Sequence, residues 1–140
     1  MSKVAVVYWS GTNNTKQMAD AVLKGITEAG SEGILLTPGE FEAGMIAQFD
    51  AIAFGCPSMG AEQLEETEFE PMFLACKPNL KGKRIALFGS YGWGDGEWMR
   101  NWEADCAECG ASLACESVIC NGAPNETACA ACAELGKALA

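Results

Sequence analysis

The chain has 140 residues, and nine Lys and Arg stand against nineteen Asp and Glu, which gives a formal net charge of −10. So acidic a chain is unsuited to binding nucleic acid or an anionic membrane surface, because both are bound through Lys and Arg. Histidine is absent, which excludes Ser–His and Cys–His nucleophilic catalysis and every histidine-ligated metal or haem.

Short apolar strands alternate with amphipathic helices along the chain. In chain order the expected strands are residues 4–9, 33–37, 51–56, 84–89 and 113–120. The expected helices are residues 15–29, 64–76, 97–109 and 127–139, with one or two helical turns at 41–48, and Pro71 bends or splits the second helix. Strands that are apolar on both faces and alternate with helices predict an α/β domain, residues 1–140, whose parallel sheet is covered on both sides.

The loop between the first strand and the first helix is rich in groups that bind an anion. Its residues, Ser10-Gly11-Thr12-Asn13-Asn14-Thr15, place three hydroxyls and two amides at a helix N-terminus. Unpaired backbone N–H groups and the helix dipole favour a phosphate there. The spacing differs from that of a Walker P-loop. The alternative is a polar turn in which Asn14 or Thr15 caps the helix.

Two further loops follow the third and fourth strands, at the edge where open α/β sheets bind their ligands. Residues 56–62 read Cys-Pro-Ser-Met-Gly-Ala-Glu, and residues 89–98 combine four glycines with Tyr91, Trp93 and Trp98. An aromatic side chain between glycines is better placed to stack on a flat ligand than to fill a core. We therefore predict that Trp93 faces a ligand and that Trp98 packs in the core. Together the loops indicate a phosphorylated planar heterocycle, for which FMN is the economical candidate.

These motifs resemble the flavodoxin family, in its short-chain clostridial and Megasphaera type, over essentially the whole chain. Residues 10–15 are similar to the family's phosphate loop S-G-T-G-N-T, with Asn13 in place of a glycine. Tyr8-Trp9 before this loop and residues 56–60, 64–66 and 87–98 after it are similar to the corresponding segments of the family. The resemblance implies a doubly wound five-stranded parallel sheet of order 2-1-3-4-5 with helices on both faces. It also implies a monomeric, low-potential one-electron carrier that holds FMN without a covalent bond and turns over no substrate of its own. The carrier would cycle mainly between the neutral semiquinone and the anionic hydroquinone.

The resemblance further implies roles for individual residues. Met59 and Trp93 would cover the inner and outer faces of the isoalloxazine ring, and Glu62 would accept a hydrogen bond from the pyrimidine N–H. Gly60 would offer its carbonyl to the central ring nitrogen once that is protonated, and the loop Asn121-Gly122 would contact the pyrimidine edge. The phosphate would be held by Ser10, Thr12, Asn14, Thr15 and Ser90. The full predicted FMN-binding set is Ser10, Gly11, Thr12, Asn13, Asn14, Thr15, Pro57, Ser58, Met59, Gly60, Ala61, Glu62, Ser90, Tyr91, Gly92, Trp93, Gly94 and Asn121.

Acidic side chains follow the second and third loops. Their negative charge is expected to make reduction of the flavin to its anion less favourable. It is also expected to attract redox partner proteins with basic docking faces. The residues concerned are Glu62, Glu65, Glu66, Glu68, Glu70, Asp95 and Glu97.

The cysteines offer a different interpretation, because Cys106, Cys109, Cys129 and Cys132 form a C-x2-C-x19-C-x2-C pattern close to that of a zinc ribbon. Both pairs fall on expected helices that would lie on opposite faces of the sheet, so we interpret them as structural thiols without a metal.

Two more alternatives share the expected topology. A phospho-receiver domain would need acidic residues at 9–10 and 56–57, where this chain has none, and an FMN-dependent quinone reductase would need a substrate pocket beyond the flavin. Eight cysteines without a secretory signal predict a reduced, cytoplasmic protein.

Overall fold

A parallel sheet forms the centre of the computed structural model, which describes residues 2–140. Its strands are β1 (Lys3–Tyr8), β2 (Glu32–Leu36), β3 (Ala51–Gly55), β4 (Arg84–Tyr91), β5 (Ser112–Leu113) and β6 (Val118–Asn121). The strand order is β2-β1-β3-β4-β5, β6 also pairs with β4, and every pairing is parallel. The predicted α/β class and the order 2-1-3-4-5 are confirmed.

Within residues 2–140, four helices and three short 3-10 segments cover the sheet. The helices are α1 (Asn14–Glu28), α2 (Phe69–Cys76), α3 (Glu97–Glu108) and α4 (Glu126–Leu139), and the 3-10 segments are Pro38–Glu40, Ala43–Gln48 and Lys77–Asn79. Val4 and Val6 of β1 pack with α1 and α4 on one face, whereas Ala5 and Val7 pack with α2 and α3 on the other. Both sides of the strand are therefore buried, as its continuous apolar run predicts. Among residues 2–140, no helix has the length and hydropathy needed to cross a membrane.

The fifth strand differs from the prediction of one segment over residues 113–120. Leu113 of β5 pairs with Ile85, and Val118 of β6 pairs with Phe88, so the four residues between them, 114–117, run beside only two of β4, 86–87. The surplus residues bulge out between the two strands, where the Ser117 hydroxyl donates to Glu103 Oε2 at 2.7 Å. The apolar residues of 113–120 predict one continuous strand, and their pattern does not show where the bulge divides it.

The second helix is shorter than the predicted 64–76, since it begins at Phe69. The buried Glu65 carboxylate accepts backbone N–H groups of Thr67 at 2.9 Å, Glu68 at 2.7 Å and Phe69 at 2.8 Å, and it thereby caps the helix. Pro71 lies in the first helical turn, where an absent N–H removes no helical hydrogen bond. The expected bend or split at Pro71 is therefore wrong.

Glycines allow α1 and α4 to approach each other closely. A Cβ atom added to Gly25 would lie 1.9 Å from the carbonyl oxygen of Ala133, and one added to Gly136 would lie 2.2 Å from that of Val22. Neither position has room for a larger residue, so the two helices form one tightly packed layer behind the sheet.

Candidate functional site

A cleft of about 210 Å³ opens at the carboxyl ends of β1, β3 and β4. This edge, where the strand order reverses, is the position at which open α/β sheets bind ligands. The cleft is lined by Trp9, Gly11, Thr12, Asn14, Pro57, Ser58, Met59, Ser90, Tyr91, Gly92 and Gly122. Most of these residues belong to the set predicted to bind FMN. Gly122 belongs, with Asn121, to the segment expected at the pyrimidine edge. Trp9 lies outside the predicted set, although it directly precedes the phosphate loop.

In the phosphate loop, residues 10–15, the side chain of the first residue forms hydrogen bonds with the backbone of later residues. Ser10 Oγ accepts the backbone N–H groups of Asn13 at 3.1 Å and Lys16 at 3.3 Å. Asn13 occupies the N-cap position with φ 76°, in the left-handed region, and its side chain makes no capping bond. The side chain that caps the start of α1 is therefore Ser10, so the alternative of a cap by Asn14 or Thr15 is wrong.

Four backbone amides of the phosphate loop remain available to a ligand. Within residues 2–140, the N–H groups of Gly11, Thr12, Asn14 and Thr15 have no hydrogen-bond acceptor. They lie at the N-terminus of α1, where the helix dipole favours an anion. Lys16 pairs with Asp20 at 3.0 Å, so amides and hydroxyls rather than a lysine would meet a phosphate. These donors fit the phosphate group of FMN.

A buried pair of hydroxyls connects the phosphate loop to β4. The oxygens of Thr15 and Ser90 lie 3.2 Å apart, and the Ser90 N–H donates to Thr15 Oγ1 at 3.4 Å. Both residues are buried. The structure thus brings together two residues from distant parts of the sequence that were predicted to hold the same phosphate.

The loop after β3 forms a small hairpin at the rim of the cleft. Met59 and Gln63 exchange two backbone hydrogen bonds of 2.8 and 2.9 Å. Gly60 has φ 52°, in the left-handed region, and Glu62 also adopts a positive φ of 54°. Met59, a large apolar residue, is 37% exposed. Ala61 is exposed at the tip of the hairpin.

The loop after β4 carries the two tryptophans with opposite surroundings. Trp93 is 63% exposed, whereas Trp98 is 2% exposed and donates its indole N–H to the carbonyl of Cys56 at 3.2 Å. The predicted core position of Trp98 is confirmed. A Cβ atom added to Gly94 would lie 2.5 Å from the Glu62 carboxyl group, so this loop runs directly against the hairpin.

The acidic residues beside the cleft do not all face solvent. Burial acts to raise the pKa of Glu65, but hydrogen bonds from Thr67, Phe69 and Glu68 outweigh it and hold that pKa below its usual value. Asp95 forms an exposed ion pair with Arg100 at 2.9 Å. Among the acidic residues that follow the two loops, Glu65 therefore has a structural role, because its carboxylate caps α2.

The two cysteine pairs lie on opposite sides of the sheet. Cys106 of α3 packs in the core cluster of one face and Cys132 of α4 in that of the other. Residues 2–140 contain no group of three or more Cys, Asp or Glu side chains arranged to hold a metal ion. Burial raises the pKa of both thiols to about 12, so neither is an activated nucleophile.

The remaining predicted ligand, Asn121, is exposed at the end of β6 beside Tyr91. Gly122, expected beside it at the pyrimidine edge, lines the cleft, has φ 72° and donates its N–H to the Tyr91 carbonyl at 2.9 Å.

Comparisons with a family model, with known sequences and with solved structures indicate the same family. The family model described as Flavodoxin matches residues 6–136. The chain is 40% identical over 137 residues to the flavodoxin of Megasphaera elsdenii, which covers 98% of both chains. It is 41% identical over 135 residues to that of Clostridium beijerinckii, covering 96% of this chain and 97% of the relative. The solution structure of two-electron reduced Megasphaera elsdenii flavodoxin superposes with a TM-score of 0.90 over 97% of each chain, at 40% identity.

Proposed function

The chain belongs to the flavodoxin family of FMN-binding electron-transfer proteins, and we propose that its cleft holds FMN for low-potential, one-electron transfer. The proposed carrier is a single domain, residues 1–140, that cycles mainly between the neutral semiquinone and the anionic hydroquinone. FMN supplies the electron chemistry when bound, and the chain positions it and sets its potential.

The observation that supports this proposal most strongly is the set of free amides in the phosphate loop. The N–H groups of Gly11, Thr12, Asn14 and Thr15 have no acceptor among the described residues and lie where the phosphate loop enters α1. The hydroxyls of Ser10, Thr12, Thr15 and Ser90, and the Asn14 amide, would complete the phosphate site.

The two exposed apolar side chains at the rim are suited to cover a planar ring. Met59 is 37% exposed and Trp93 is 63% exposed, and placing a flat apolar ring between them would remove that surface from water. Glu62 and Asn121 would meet the pyrimidine edge of the ring. The rest of the proposed binding set shapes the two loops and comprises Asn13, Pro57, Ser58, Gly60, Ala61, Tyr91, Gly92 and Gly94.

Two properties of the chain would tune the potential. The Gly60 carbonyl accepts no hydrogen bond from residues 2–140, so it is free to accept one from a protonated ring nitrogen. The carboxylates of Glu62, Asp95 and Glu97 would repel a reduced, anionic ring and lower the potential for adding the second electron.

The same acidic surface suggests the partners. Redox proteins that dock on it would carry basic faces, which the field of a chain with net charge −10 would attract. We further propose that the protein acts as a monomer in the cytoplasm, where its eight free cysteines would remain reduced.

Titration of the apoprotein with FMN, followed by the quenching of flavin fluorescence, tests the proposal. We expect one FMN per chain and weaker binding of riboflavin, which lacks the phosphate. Thr12→Ala should weaken FMN binding, whereas Thr27→Ala, which changes an exposed threonine at the far end of α1, should leave it unchanged. Absence of FMN binding to the folded apoprotein would refute the proposal.

A further inference from the structure

Trp9 lies at the end of β1 and immediately precedes the phosphate loop. Its indole Nε1 donates a hydrogen bond to Glu68 Oε1 at 3.0 Å. The ring also lies over Gly11, because a Cβ atom added there would be 2.9 Å from indole Cη2 and 3.1 Å from Cζ3. The indole therefore limits the positions that the first half of the phosphate loop can adopt.

The acceptor of this hydrogen bond, Glu68, is itself held in place through its backbone. The Glu68 backbone N–H donates to Glu65 Oε1 at 2.7 Å, and the Glu65 N–H donates to Cys56 Sγ at 3.4 Å. The Trp9–Glu68 bond thus joins the phosphate loop to the capped start of α2 and, through it, to the end of β3.

Trp9 and Gly11 line two cavities. One is the cleft, and the other is a cavity of about 510 Å³ that Lys16, Thr37 and Glu68 also border. Without its bond to Glu68, the indole has space to turn into this second cavity. The phosphate loop would then lose the ring that supports Gly11.

We propose that the Trp9–Glu68 hydrogen bond is a positioning element that holds residues 10–15 in the conformation that receives the phosphate of FMN. The inference rests on the proposed function, and it assigns to this bond a share of the preference for FMN over riboflavin. Loss of the bond frees the loop, so that binding a phosphate must first order it, whereas a ligand without a phosphate is unaffected.

Two variants remove the Trp9–Glu68 hydrogen bond, one by replacing its donor and the other by replacing its acceptor. Trp9→Phe keeps an aromatic ring without the N–H donor, and Glu68→Ala removes the acceptor without touching the ring. Each should weaken FMN binding by about fivefold, the effect of losing one partly exposed, charge-assisted hydrogen bond. Riboflavin binding by the same apoproteins should stay within about twofold of the wild type.

Two further variants serve as controls. Glu68→Gln retains an oxygen acceptor and should restore most of the FMN affinity. Glu66→Ala removes a neighbouring exposed carboxylate that makes no hydrogen bond within the described residues, and it should bind both flavins as the wild type does. The dissociation constants are measured by flavin fluorescence, with circular dichroism to establish folding.

The result that overturns the inference is an equal loss of FMN and riboflavin affinity in both Trp9→Phe and Glu68→Ala, which would mean a general structural role. Unchanged FMN affinity in both variants would also overturn it. In each case normal FMN binding by the wild type would leave the proposed function standing. If the wild type bound no FMN, the proposed function and this inference would fall together.

Discussion

The Glu62 carboxylate accepts a hydrogen bond from the backbone N–H of Glu97 at 3.0 Å, which connects the hairpin after β3 to the first residue of α3. Glu62 is held there with φ 54°, a conformation that costs a non-glycine residue about 1–2 kcal/mol. The bond uses Oε1 and leaves Oε2 for the N–H of a bound ring. One side chain would therefore connect both loops to the cofactor.

Replacement of Glu62 by Ala should weaken FMN binding by about tenfold, because the variant loses the contact between the loops and the proposed acceptor for the pyrimidine N–H. Fluorescence titration of the apoprotein measures the effect, and the exposed Glu66→Ala serves as the control for loss of one charge. Equal affinities in Glu62→Ala and the wild type would show that Glu62 does not contact the ligand.

Substitutions at Asn13 should separate backbone strain from side-chain chemistry. Its φ is 76° and its side chain makes no capping bond, so glycine should be tolerated and alanine should destabilise the protein by about 1 kcal/mol. Urea denaturation of Asn13→Gly and Asn13→Ala apoproteins measures the difference. If alanine were as stable as glycine, the left-handed conformation would not be the reason for asparagine at this position.

Glu65 should make stability depend on pH in the acidic range. Because its pKa is lowered on folding, its contribution is fully present above the ordinary pKa of a glutamate and is lost as the pH falls through the lowered value. Glu65→Gln should reduce the free energy of unfolding by about 2 kcal/mol at neutral pH, and the difference from the wild type should shrink in acid. Glu66→Gln, at a neighbouring exposed glutamate, serves as the matched control, and a difference for Glu65→Gln that does not change with pH would contradict the assignment.

Gly136 should tolerate no side chain. A Cβ atom there would lie 2.2 Å from the Val22 carbonyl oxygen, so Gly136→Ala must force α1 and α4 apart, at a cost of about 1–3 kcal/mol or more. Gly44 has nothing within 4 Å of an added Cβ, and Gly44→Ala should leave the free energy of unfolding almost unchanged. Equal stability of the two variants in urea denaturation would contradict the tight packing of these helices.

The sequence alone was sufficient to predict the structural features that depend on residues close together in the chain. Apolar runs such as 4–9 and 51–56 predict strands buried on both faces, and stop signals such as Gly30 and Gly110, with φ 88° and 85°, mark helix ends. The glycine-flanked position of Trp93 also distinguished it from Trp98, which is buried as predicted. In each case the signal lies within a few residues of the structure it predicts.

The features that the sequence did not reveal depend on contacts between distant residues. Trp9 bonds to Glu68, 59 positions away, and no local pattern at either residue indicates the other. The Glu65 carboxylate resembles its solvated neighbours in sequence, yet it is buried because it caps α2. The bulge before β6 depends on the register with β4, which is a property of the sheet rather than of the strand.

An anaerobic redox titration followed by optical spectra tests the central claim, one-electron transfer by bound FMN, most directly. The wild type should accumulate a neutral semiquinone, and Gly60→Ala should accumulate less of it. An alanine at φ 52° is strained by about 1–2 kcal/mol, so residue 60 would turn its carbonyl away from the protonated ring nitrogen that it is proposed to bind. Loss of about 1.4 kcal/mol from that hydrogen bond, which only the protonated ring makes, corresponds to about 59 mV in a one-electron couple. Direct two-electron reduction of the wild type, without a semiquinone, would contradict the account.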